Sequence, residues 1–147
     1  MMSSLLLLFA FAFPAAAPVV GTSVVIWPDG VPPQGMTHKE VFGNHAISIS
    51  HREKDGRAEL HETKADVIVI QSGEATLVFG GQVIDPKPTV ANEIQGSGIK
   101  GGISKAVKTG DVIHIPVGVP HQFFLAPGKQ ITYLVVKVTD PQNSAAK

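Results

Sequence analysis

The sequence predicts an all-β domain built as a sandwich or closed barrel. Three observations point there. Short runs of β-branched and apolar residues recur along most of the 147-residue chain. Turns containing Gly or Pro separate them. No segment carries a sustained helical period with caps, and no internal repeat is present. Many short strands joined by such turns bury their apolar faces by packing two sheets or closing one.

The elements follow in order. Leu5 to Phe13 is an unbroken apolar run, closed by Pro14 and followed by Ala15, Ala16 and Ala17. It is too short to span a bilayer and reads as a secretory signal peptide over residues 1–21, with cleavage between 17 and 21. The mature chain is therefore expected to be exported, periplasmic or extracellular, without membrane attachment. Residues 22–139 read as one domain and 140–147 as a loose polar tail.

Within the domain, Thr22 to Trp27 is a β-branched strand stopped by Pro28, and 31–35 is a loop. Ala46 to His51 alternates apolar and polar residues, which predicts a half-buried strand with Ile47 and Ile49 inward. Lys54, Asp55 and Gly56 form a turn into an extended stretch over 58–63. Val67 to Ile70 is a buried strand, Ser72, Gly73 and Glu74 turn, and Ala75 to Phe79 is the next strand. Gly80 and Gly81 turn again into 82–84. Residues 85–105 have weak periodicity and read as a long loop with a loose hairpin near Glu93 and Ile94. Strands follow at 112–115, 122–125 and 131–138, the last being the clearest in the chain. Ile68, Ile70, Phe123 and Leu125 join the expected inward set, which would line a mostly apolar pocket.

Composition narrows the function. Lys plus Arg and Asp plus Glu are 12 each, so the net charge is zero. No basic face for nucleic acid is indicated. Cysteine is absent, which removes disulfides, thiolate metal sites and thiol nucleophiles. Six histidines are then the residues to weigh. His38 and His45 lie in loop-like sequence and read as ordinary polar residues. His114 shares parity with Val112 and reads as a core or interface histidine.

The stretch from Gly110 to His121 is more specific. Gly110 and Asp111 turn the chain into a strand, Pro116 ends its ladder, Gly118 permits a sharp reversal, and His121 opens the next strand. With five residues between Gly110 and Pro116 and two between Gly118 and His121, it resembles the second motif of the cupin superfamily. Leu125 stands where that motif ends in Asn. The first cupin motif is matched by Gly56 to Asp66 followed by Gly73, with one histidine of its pair missing. In one register His61 leads and Thr63 replaces the second His. In the other, Glu59 replaces the leading His and His61 is the second; this register keeps the spacing from His61 to Asp66. Residues 59 and 61 also share one face of a strand.

The resemblance spans about residues 45–138. It implies a double-stranded β-helix, a jelly-roll barrel of six to eight strands. It also implies a divalent metal held by Glu59, His61, Asp66 and His121, with Mn, Fe and Zn all compatible. Asp66, one methylene shorter than the usual Glu, is a ligand or a partner that orients a histidine. His51 is the one acid/base candidate outside that set. Arg52 and Arg57 flank the first motif and could bind a carboxylate. The gap from Gly73 to Gly110 is long for the family, and its Gly-rich stretch 96–102 is a candidate lid. Three functions stay open. The first is a metal-dependent enzyme on a small oxygenated or carboxylate substrate. The second is a non-catalytic small-ligand or metal-binding module. The third is a metal-free dimerisation barrel. A homodimer is expected, since cupin barrels often pair through their sheets.

Overall fold

In a computed structural model of the chain, residues 24–30 and 39–141 are described. The segment 1–21 read as a signal peptide, the 31–35 loop, His38 and most of the tail lie outside them. The described residues form twelve strands and a 3-10 turn at Pro28–Gly30. The strands are β1 (Lys39–Phe42), β2 (His45–Arg52), β3 (Ala58–His61), β4 (Lys64–Phe79), β5 (Gln82–Ile84) and β6 (Lys87–Val90). They continue with β7 (Glu93–Gly96), β8 (Gly98–Lys100), β9 (Ile103–Lys108), β10 (Val112–Ile115), β11 (His121–Phe124) and β12 (Ile131–Thr139).

Strand β4 organises the fold. Its first half pairs with β12 and β10, giving a sheet in the order β1-β2-β12-β4-β10. Its second half pairs with β9 and β11, giving a second sheet in the order β9-β4-β11-β3-β7-β6. Every pairing is antiparallel, and β5 and β8 form a separate ribbon. The core lies between the two sheets. Ile68 and Ile70 from the first half of β4 meet Leu77 from the second, with Phe123 on β11 and Ile131, Tyr133 and Val135 on β12. The all-β jelly-roll expectation therefore holds, as one curled double-sheet barrel.

The expected turn at Ser72, Gly73 and Glu74 is instead a bend inside β4. Gly73 adopts φ +84°, and a Cβ there would sit 2.0 Å from the Gln130 carbonyl oxygen. The partner strand shifts register between Thr132 and Tyr133, opposite the bend. Glycine thus lets one strand leave the first sheet and enter the second without a break in pairing. Gly73→Ala is expected to destabilise the protein by about 2 kcal/mol or more, because the positive φ and the backbone contact add. Urea unfolding would measure it, and a midpoint equal to wild type would remove the bend's special role.

Four other expectations are corrected. Residues 85–105 are not a long loop but carry β6, β7, β8 and the start of β9. Their side chains are largely exposed or half-buried, so pairing left no alternating apolar signature. The Gly-rich stretch 96–102 is built into β7, β8 and the turn that follows. None of it lines the interior cavity, so it is no lid. The described part of the 22–27 run, residues 24–27, forms no strand. It borders the outer face of the first sheet, where Val25 and Trp27 line one groove with Phe42, Ile47 and Leu134. That groove holds the fourth correction. Ile47 faces outward into it, and Ser48, Ser50 and Arg52 on the alternate positions of β2 face the barrel interior. Ile49 shares the outward parity of Ile47.

Candidate metal and ligand site

Three cross-strand pairs build the site, each matching a base to a carboxylate. His121 on β11 stands opposite Glu59 on β3. His61 on β3 stands opposite Glu93 on β7. Lys137 on β12 stands opposite Asp66 on β4. Directly opposed residues in a ladder have side chains within contact range, so register alone brings these groups together. The glycine turn read from the second motif adds a clamp: Gly118 has φ +74° and donates its N–H to the His61 carbonyl at 2.8 Å.

Both imidazoles are buried, at 5% exposure each, and their rings lie 5.1 Å apart. His61 Nδ1–H donates to the Glu93 carboxylate. His121 Nδ1–H donates to the Val119 carbonyl at 3.1 Å. Carboxylates and carbonyls only accept, so each ring is fixed with Nε2 as its lone-pair atom. Those Nε2 atoms converge. Asp66 Oδ2 lies 3.2 Å from that of His61 and 3.6 Å from that of His121. Ligand atoms of Glu59, His61 and His121 all fall within 4.8 Å of one another. One ion with bonds of about 2.0–2.2 Å holds adjacent donors about 3–3.6 Å apart, so these side chains would draw together to share it. The donor set, two imidazole nitrogens and one carboxylate, fits a divalent metal.

Asp66 is tied differently. Both its oxygens accept from Lys137 Nζ, at 2.9 and 3.0 Å. Lys137 Nζ also stands 2.5 Å from His61 Nε2. Burial alone would raise the Asp66 pKa, but the His61 hydrogen bond and the Lys137 charge hold it below the usual carboxylate range. Burial pushes His121 below the ordinary imidazole value. His61 feels the same burial, but Asp66 and Glu93 outweigh it and the balance lies above that value. The Lys137 ammonium thus stands at Nε2 of His61, on the edge of the ring that faces Asp66.

Beside these groups lies a cavity of about 140 Å³, lined by Ser48, Ser50, Arg52, Arg57, Gln122 and Tyr133 among others. Its wall mixes these polar groups with Ile68, Phe123 and Val135 and is not the mostly apolar lining expected, because β2 turns its serines and not its isoleucines inward. Arg52 Nε donates to the Tyr133 hydroxyl at 2.7 Å, and its guanidinium lies 3.9 Å from Glu59. Burial raises the Tyr133 pKa, keeping the phenol protonated. Among the described residues Arg57 donates one long hydrogen bond, to Gln95 at 3.5 Å. Gln122 is buried, its Nε2 donates to the Gly56 carbonyl at 2.9 Å, and its Oε1 has no hydrogen-bond partner among the described residues.

Two expected roles fail on position. His51 faces away from the barrel, 47% exposed, bonded to Thr132 and Glu53, because its parity is that of Ile47 and Ile49. It is no acid/base for this site. His114 is exposed beside Val112 on the outer face of β10, so it is not a core histidine. His45 stacks on Phe42 and bonds Asn44, as an ordinary polar residue does. Two site residues escaped the sequence reading. Glu93 lay in the supposed loop. Lys137 had a visible signal: it shares the parity of Ile131, Tyr133 and Val135, the buried face of the clearest strand.

No family model matches the sequence, and no curated protein matches it. Solved structures do. The chain is similar to hydroquinone 1,2-dioxygenase PnpCD, solved with Cd2+ and 4-hydroxybenzonitrile, at 13% identity and TM-score 0.52, covering 69% of this chain and 62% of that one. It is similar to a cupin protein from Bacteroides fragilis, 17% identical with TM-score 0.46, covering 68% and 70%. It is also similar to the polyketide cyclase RemF from Streptomyces resistomycificus, 21% identical with TM-score 0.45, covering 64% and 54%. The chain thus spans about half the length of RemF and less than two thirds of PnpCD.

Proposed function

The chain has the cupin fold, and from that premise we propose that it binds a divalent metal through Glu59, His61 and His121 and admits a small carboxylate ligand beside it. The observation that carries this reading is the pair of converging Nε2 lone pairs, each fixed by an acceptor on its Nδ1–H. Metal-bound histidines are commonly oriented in this way. Mn, Fe and Zn in their divalent forms all suit such a set. A divalent ion there would supply Lewis acidity toward a ligand oxygen.

The chain's own residues select the ligand. Arg57 offers a guanidinium fork for a carboxylate. Ser48 and Ser50 add hydroxyls on the same wall. The unpartnered Oε1 of buried Gln122 accepts, so the ligand carries an O–H or N–H as well as an acid group. The cavity, about 140 Å³, limits the ligand to a small molecule. A second reading is binding without turnover. The outward position of His51 favours it, since that removes the acid/base candidate outside the donor set.

Titration of the full chain with Co(II), followed by visible absorption, tests the metal. One equivalent should bind wild type, and His61→Ala and His121→Ala should each weaken binding by about a hundredfold or more. Equal binding in all three proteins would reject the site. Turnover assays with small hydroxy acids on the metal-loaded protein then separate the two readings.

A further inference from the structure

We propose that Lys137 is a built-in competitor for the metal: its ammonium fills the place between His61 and Asp66, and metal binds by exchange with it. The inference rests on the metal reading above and concerns what the ion must displace.

The geometry of β12 puts Lys137 there. Alternation along the strand buries Ile131, Tyr133 and Val135, and residue 137 falls on the same face. Its side chain is 23% exposed. The ammonium has three N–H donors and finds three acceptors: His61 Nε2 at 2.5 Å and the two Asp66 oxygens at 2.9 and 3.0 Å. A divalent ion needs the same His61 lone pair. One lone pair cannot serve an ammonium and a metal together, so one must leave.

Charge gives an independent argument. Three carboxylates surround the site, and each already has a cation from the chain. Asp66 has Lys137, Glu93 has Lys64 at 3.3 Å, and Glu59 has Arg52 at 3.9 Å. The cluster is balanced before any ion arrives. A divalent ion added beside Lys137 would place two units of positive charge a few ångströms from a third, in a buried setting where such repulsion is weakly screened. Withdrawal of Lys137 relieves this and frees both Asp66 oxygens to become a fourth donor. The lysine has somewhere to go, because its flexible stem also lines the cavity.

The wild-type affinity is then lower than the donor set alone would give. Lys137→Met keeps the length of the side chain and removes the charge, while Lys137→Arg keeps a cation. Full-length wild type and both variants would be titrated with Co(II), and with Zn(II) against a chelator. Lys137→Met should bind about tenfold tighter or more, and Lys137→Arg no tighter than wild type. Should Lys137→Met fail to fold, the wild type alone decides by NMR. The Lys137 ammonium signal should be protected from solvent exchange without metal and lose that protection when Zn(II) saturates the site. Metal binding by wild type with no gain in folded Lys137→Met, or an unchanged lysine signal at saturation, overturns the exchange and leaves the metal site standing. Binding by neither wild type nor folded Lys137→Met overturns both.

Discussion

Asp66→Asn is expected to lower the unfolding free energy of the metal-free protein by about 3 kcal/mol, the range for breaking a buried ion pair from one side. The carboxylate is 3% exposed and accepts twice from Lys137. Asparagine keeps the shape but leaves a largely buried ammonium without its counter-charge. Adding Lys137→Met to Asp66→Asn should recover part of the loss, with a coupling of about 1–3 kcal/mol. Urea unfolding of the four proteins measures both numbers, and strict additivity would show that the pair does not interact. The same pair sets the acid limb of stability. Asp66 binds its proton less tightly when folded than unfolded. Its stabilisation is therefore full above the ordinary carboxylate pKa of about 4 and is lost as pH falls through the lower folded value. His121, pushed down by burial, costs stability as pH falls through about 6.5, and His61, held up, does the reverse. The two act in opposite directions. The exposed Glu74–Lys129 pair acts in the direction of Asp66, but Asp66→Asn leaves it intact. The acid limb should therefore flatten in that variant.

Glu93→Gln is expected to weaken metal binding by about 10–100-fold, the usual cost of losing a carboxylate that orients a ligating histidine. Glu93 touches His61 at Nδ1, on the far side of the ring from the converging lone pairs. Its negative charge makes Nε2 more basic and holds one tautomer. Glutamine can still accept, but it is neutral, and its amide can turn to present donors instead. Lys64 would also lose its partner at 3.3 Å. Competition against a Zn(II) chelator measures the change. An affinity equal to wild type would mean that His61 is oriented by β3 alone.

Much of this was legible in the chain. Strand β12 and the turn from Gly110 to Gly118 follow from β-branched runs and glycine placement, and the structure gives both glycines positive φ. The resemblance to the cupin motifs implies Glu59, His61, Asp66 and His121 as ligands, and the barrel brings ligand atoms of Glu59, His61 and His121 together, without Asp66 in that group. What failed has physical causes. Alternation in β2 gave the right period but could not say which face was inward, because the sheet carries apolar residues on both sides. Strands β6 to β8 are too exposed to carry an apolar pattern. Glu93 meets His61 only through the register of β3 with β7, a pairing over 32 residues of sequence. Lys137 needed only parity, but a lone lysine in an apolar strand is easily read as a solvated end.

The position of β12 has a consequence for how the barrel comes together. That strand lies between β2 and β4 and pairs with both along its length. It also brings Lys137 to Asp66 across 71 residues of chain. Before it docks, β2 and β4 each present an open edge, and the interior has no floor. Assembly therefore depends on a late, long-range closure, which places the fold among slow-folding β topologies, with times on the order of milliseconds to seconds. A nascent chain lacking β12 exposes two sticky edges at once, so its main hazard is intermolecular strand pairing before completion, not loss of the finished fold.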